Sequence, residues 1–163
     1  MINNKKGSME DNFWVLVQIF GFALFMLIMM FVWNNLTSTN FNGIWEDNAV
    51  SQNAKSHGIA AFNQMDNIFL FVYFGLHIGM LVLAYMLREI PIILIAIILL
   101  AAILVMIAAP ISNIYQDISA QSTFSSSAAS LSKMGYIMNN LPSFELIWAV
   151  LTGIALVGFS RLD

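Results

Sequence analysis

The sequence contains no cysteine. That removes disulfides, thiolate metal sites and cysteine nucleophiles, and it leaves the redox compartment undetermined. Charge is nearly as scarce. Only 9% of the 163 residues are Asp, Glu, Lys or Arg, against about 25% in a typical soluble domain. Six basic and nine acidic residues give a net charge of −3. No basic patch is present to neutralise several phosphates, which argues against direct sequence-specific nucleic-acid binding. There is also no Walker loop, dinucleotide fingerprint, H-E-x-x-H, metal-ligand cluster or haem-attachment motif. An intramembrane enzyme needs a nucleophile with a base, or several metal ligands, and this chain cannot easily supply them. The expectation is therefore no enzyme, no catalytic residue, no metal ligand and no cofactor.

What is present is apolar surface. Hydrophobic residues make up 60% of the chain, against roughly 45–50% in globular domains. Eleven Met and thirteen Phe suit an adaptable, lipid-exposed helical bundle. Four segments satisfy the length of about 20 mostly apolar residues that a membrane span needs: residues 13–36, 68–87, 90–111 and 143–159. The first is broken only by Gln18, the second contains His77, and the fourth is the shortest. The first follows Lys5 and Lys6, but Glu10 and Asp11 interrupt the basic region and the apolar run is too long for a signal peptide, so it reads as a retained span. Strands are excluded because an unpaired strand cannot satisfy its backbone in hydrocarbon, and barrel-type alternation is missing. The predicted fold is an all-α integral membrane bundle, one domain over 1–163, with four transmembrane helices.

Two polar, weakly charged loops, 37–67 and 112–142, separate spans one from two and three from four. Spans two and three are joined by a tight turn around Arg88 and Glu89, with Pro91 placed where a first helical turn tolerates it. Both long loops then lie on one side of the membrane. Lys5, Lys6, Arg88 and Arg161 lie on the other, against Lys55 and Lys133 on the loop side. The positive-inside rule puts the termini and the 88–90 turn in the cytoplasm. Trp14, Trp33, Tyr73, Tyr85 and Trp148 lie near span ends, several of them where interfacial aromatic belts form.

Helical periodicity continues through the loops. Ile111, Ile114, Tyr115 and Ile118 extend the third span, and Phe124, Ala128, Leu131, Met134 and Met138 form a stripe through Ser-rich sequence. Ile59, Phe62, Met65 and Phe69 form another that runs into the second span. Each loop therefore reads as an amphipathic helix leading into the next span. Asn140, Pro142 and Glu145 look like a cap, a first-turn proline and a dipole-stabilising carboxylate at the start of span four.

Few residues invite a functional reading. His77 is the one ionisable group deep in a span, and such residues are functional suspects. A proton relay or haem ligand would need a partner, and no second buried histidine is evident. The plainer reading is a neutral imidazole bonded to a neighbouring helix. Gln18 reads as interhelical glue rather than a filter. Gly75 and Gly79 form a G-x-x-x-G that allows close helix approach within or between subunits, and Ala149 with Gly153 is a weaker pair of the same kind. Asp66 and Glu145 stand near the entrances of spans two and four, where an ion site is conceivable and a carboxylate at the helix dipole is simpler. Ser125, Ser126 and Ser127 have no activating base nearby in sequence and read as a packing surface or linker.

Three stretches carry a resemblance: A-F-N-Q-M-D-N-I-F-L-F-V-Y-F-G-L at Ala61 to Leu76, I-S-N-I-Y-Q-D at Ile111 to Asp117, and Y-I-M-N-N-L-P at Tyr136 to Pro142. In this order, from about Ala60 onward, the chain resembles small multi-spanning membrane proteins of tailless icosahedral viruses with an internal lipid membrane. The resemblance implies a structural protein of the virion's lipid vesicle, in contact with lipid, with further copies of itself, or with capsid proteins. It carries over no catalytic residue. Two other readings stand beside it. One is an accessory subunit of a larger membrane complex. The other is a small channel or holin-like pore former, disfavoured because no span shows a polar stripe and no inverted repeat of broken helices is evident.

Overall fold

A computed structural model describes residues 9–38, 49–86 and 91–158. Six helices account for nearly all of them: α1 (Met9–Thr37), α2 (Ala49–Met86), α3 (Pro91–Ala120), α4 (Ser125–Ser130), α5 (Ser132–Asn139) and α6 (Leu141–Gly158). No strand occurs among the described residues. Among the described residues, three stretches are long and apolar enough to cross a membrane, Trp14–Thr37, Ala49–Val82 and Ala101–Ala120, and α6 supplies a shorter apolar stretch, Leu141–Ala155. At 18 residues, α6 is about 27 Å long, just under a hydrocarbon core of roughly 30 Å.

α1 is apolar on every side, and its neighbours choose which face is buried. Leu16, Ile19, Ala23, Met26 and Met30 point inward, at steps of three and four residues, the spacing of a coiled-coil seam. Trp14, Phe25, Ile28, Met29, Val32 and Leu36 point outward. A helix apolar all round suits a bilayer or a large core.

α2 is one continuous helix of 38 residues, roughly 57 Å long. Residues 49–67, expected as loop, are its first half. The inward stripe runs Phe62, Asp66, Phe69, Tyr73, His77 and Met80. Ile59 and Met65, expected on that stripe, are exposed. Tyr73, expected near an interfacial belt, is fully buried.

α3 starts at Pro91, as the first-turn preference of proline suggests. It then runs through Pro110 to Ala120, so the third span and its amphipathic extension form one rod. Leu104, Ala108, Ser112 and Tyr115 are buried. Ile114 is turned outward.

The rest of the second loop is a helical pair broken at Leu131, whose φ of −105° and ψ of 55° are not helical. Leu131, Met134, Ile137 and Met138 are buried between α2 and α3. Ser112 Oγ and Gln116 Nε2 both donate to the Asn139 carbonyl, at 3.1 and 2.9 Å. They tie the end of α5 to α3, and α6 then returns along α3. Asn140 caps differently from its expected role: its side-chain amide donates back to the Tyr136 carbonyl of α5 at 2.9 Å.

The residues 87–90 around the short turn, and Lys5, Lys6 and Arg161, lie outside the described residues. The sidedness expectation rests largely on them.

Candidate functional site

The buried stripe of α2 carries three polar groups among its apolar ones: Asp66, Tyr73 and His77. Tyr73 and His77 are one turn apart, so both face the same neighbour. That neighbour is α6, which contributes Glu145. The Tyr73 hydroxyl donates to Glu145 Oε1 at 3.0 Å. His77 Nε2 lies 3.1 Å from the same oxygen. His77 Nδ1 lies 2.8 Å from the Tyr73 carbonyl. Only 6% of the His77 side chain and 5% of that of Glu145 are exposed.

Aromatic rings close the site. Trp148, one turn beyond Glu145, stacks on the imidazole with centroids 4.9 Å apart and planes at 25°. Phe144 meets Tyr73 edge-on at 6.1 Å, and Phe74 meets both Phe144 and Trp148. In such surroundings an isolated charge is costly, and hydrogen bonds are correspondingly strong. The arrangement pins α2 to α6 by bonds whose loss leaves buried polar groups unsatisfied.

Asp66 makes a second polar joint one helix away. It lies well inside α2, so it does not stabilise the start of its own helix. Its carboxylate accepts from the backbone N–H of Lys133 at 3.1 Å and of Met134 at 2.8 Å. It therefore caps the first turn of α5, where free N–H groups and the helix dipole favour an anion. The Lys133 ammonium donates to Asn67 beside it. Glu145, expected as a dipole carboxylate at a span entrance, instead belongs to the Tyr73–His77 joint. Both carboxylates are buried.

The other singled-out residues lie apart. Gly75 and Gly79 are on the exposed face of α2, and nothing of the chain would come within 4 Å of a Cβ at either. They make no close helix contact within this chain. A Cβ at Gly153 would likewise meet nothing of the chain within 4 Å, and both Gly153 and Ala149 are half-buried. Gln18 is exposed on α1, so this chain's own helices do not bury it. Ser127 is buried and accepts from the Asn34 amide at 3.1 Å, joining α4 to α1. Among the described residues, no group of three or more His, Asp or Glu side chains is placed to hold a metal.

Sequence reading found His77 and Glu145 but not their pairing. It sought a second histidine for His77 and gave Glu145 a local role. The two are 68 residues apart, so no local spacing reveals the contact. The missed signal was the i, i+4 pair Tyr73 and His77 on one face of a span, which calls for a polar partner on a neighbouring helix. Gly58 was also missed: it packs directly against the Trp33 indole ring of α1.

Comparison of the chain with protein-family models, with curated proteins and with solved structures gives no match.

Proposed function

We propose that this chain is a non-catalytic structural membrane protein whose four apolar helices, α1, α2, α3 and α6, cross a bilayer. In this reading α4, α5 and the first half of α2 gather at one membrane face. One observation carries the reading: among the described residues, the buried Asp66, His77 and Glu145 are bonded to helices of the same chain. They join α2 to α5 and α6, as in a building block. The outward faces support a lipid environment. Phe71, Val72 and Ile78 on α2, and Leu146, Ile147, Val150 and Ile154 on α6, are all exposed.

The resemblance noted above gives the membrane its proposed identity, the internal vesicle of a tailless icosahedral virion. There the chain would help to organise lipid and touch its own copies or capsid proteins. The open Gly75 and Gly79 face of α2 also suits a tight contact with another helix, which keeps an accessory-subunit role as the second reading.

The test is a density gradient of a producing-cell lysate, with the protein tracked by mass spectrometry before and after brief lipid-solvent extraction. Co-migration with DNA-containing particles whose density rises on extraction is the expected result. Migration with ordinary vesicles free of particles and DNA would sink the virion reading. A stable set of co-purifying membrane subunits would then favour the second.

A further inference from the structure

The contact between His77 and Glu145 fixes how many protons the two share. A backbone carbonyl only accepts, so His77 Nδ1, 2.8 Å from the Tyr73 carbonyl, carries a hydrogen. The opposite nitrogen, Nε2, faces Glu145 Oε1 at 3.1 Å. With no proton between them, two lone pairs would oppose each other and the pair would bear a buried negative charge. With one proton, held on either atom, the contact is attractive and the pair is neutral. With a second, the pair bears an uncompensated positive charge. The Tyr73 hydroxyl donates to Oε1 at 3.0 Å and is satisfied when the pair holds one proton.

We propose that the His77–Glu145 pair is a proton-operated lock between α2 and α6, closed while it holds one proton and released when acid adds a second or alkali removes the first. This goes beyond a scaffold role, since it makes the packing of two helices answer to pH. Release follows from the surroundings. Tyr73, Phe74, Phe144 and Trp148 enclose the pair, and a net charge among them is relieved by water entering as α2 and α6 separate.

Among the described side chains, no other group nearby is placed to offset that charge. From α1, no titratable side chain occurs between residues 14 and 37. From α2, Asp66 is three turns away and committed to the α5 amides. α3 offers Tyr115 and Asp117 toward its far end, α4 has no titratable residue, and α5 offers Lys133, held by Asn67, and Tyr136, which meets Phe144. Among the described side chains of α6, Glu145 is the only titratable one.

The absence of native cysteine makes the test direct. Ile78→Cys and Leu146→Cys, both at exposed positions on α2 and α6, take spin labels in the full chain in phosphatidylcholine vesicles. The label distance is followed between about pH 4 and about pH 10. The expected result is a short distance at intermediate pH that is lost toward both the acid and the alkaline extreme. The double variant His77→Gln with Glu145→Gln, an amide pair that bonds without titrating, is expected to keep the short distance throughout. A distance that never changes in the native pair, or changes equally in the amide pair, overturns the proposal. Nitrogen NMR of histidine-labelled native chain decides independently of any variant. The expected His77 signal has Nδ1 protonated, and an Nδ1 without hydrogen overturns the proposal.

Discussion

Glu145 holds Tyr73 and His77 through one oxygen, and its removal strands both. In Glu145→Ala, the Tyr73 hydroxyl and the His77 ring lose their partner inside an aromatic enclosure. A cost on the order of 3 kcal/mol is expected, read as a lowered unfolding midpoint in mixed micelles. Glu145→Gln keeps an acceptor and is expected to cost about 1 kcal/mol. Equal losses in the two variants would mean that the bonds contribute little. Asp66→Ala removes a cap rather than a pair. It is expected to cost about 1 kcal/mol and to speed amide exchange at Lys133 and Met134 about fivefold, with α6 unaffected. Unchanged exchange at those two amides would contradict the capping role. His77 was legible in the sequence because a lone ionisable group in an apolar span stands out. Its partner was not, because Glu145 also fits a local helix-start role and only tertiary packing decides between them. Asp66 was misplaced for a related reason: the boundary of α2 lies 17 residues earlier, at Ala49.

Where α1 crosses α2, Gly58 lets the Trp33 indole lie against the helix backbone, and Trp33 continues onto Phe62 with centroids 6.3 Å apart. A Cβ at 58 would overlap the indole. Gly58→Ala is therefore expected to destabilise this crossing by about 1–3 kcal/mol despite the better helix propensity of Ala. Gly75→Ala and Gly79→Ala meet nothing in the chain and are expected to leave the monomer unchanged or up to about 1 kcal/mol more stable. If they lower stability as much as Gly58→Ala does, the exposed placement of that face is wrong. At this scale the sequence was informative about periodicity and less so about phase and continuity. The stripes through both loops correctly announced helices. They did not announce that α2 runs unbroken, because the polar residues of 49–67 resemble a linker, or that α4 and α5 part at Leu131, which no breaker residue marks. The phase of the first stripe slipped because Ile59 and Met65 are apolar but point outward, while Asp66 is acidic and points in.

For the molecule as a whole, the all-helical class was legible in composition, because long apolar runs with little charge and no strand-type alternation suit helices, which satisfy their own backbone. The number of crossings was less legible. α1, α2 and α3 contain stretches that meet the length and hydropathy of a span, whereas α6 falls just short by length. Its position argues for the same environment, because it packs along α3 and shows an outward face of Leu146, Ile147, Val150, Leu151 and Ile154. Single introduced cysteines test this most directly, in closed phosphatidylcholine vesicles probed with a membrane-impermeant maleimide. The expected result is that Ile147→Cys, Val150→Cys and Ile154→Cys on α6 resist labelling as Phe71→Cys and Val72→Cys on α2 do, while Asn53→Cys and Ser126→Cys label, both from the same side. Ready labelling of the α6 positions from water would contradict a four-helix membrane bundle, and labelling of Asn53→Cys and Ser126→Cys from opposite sides would contradict its topology.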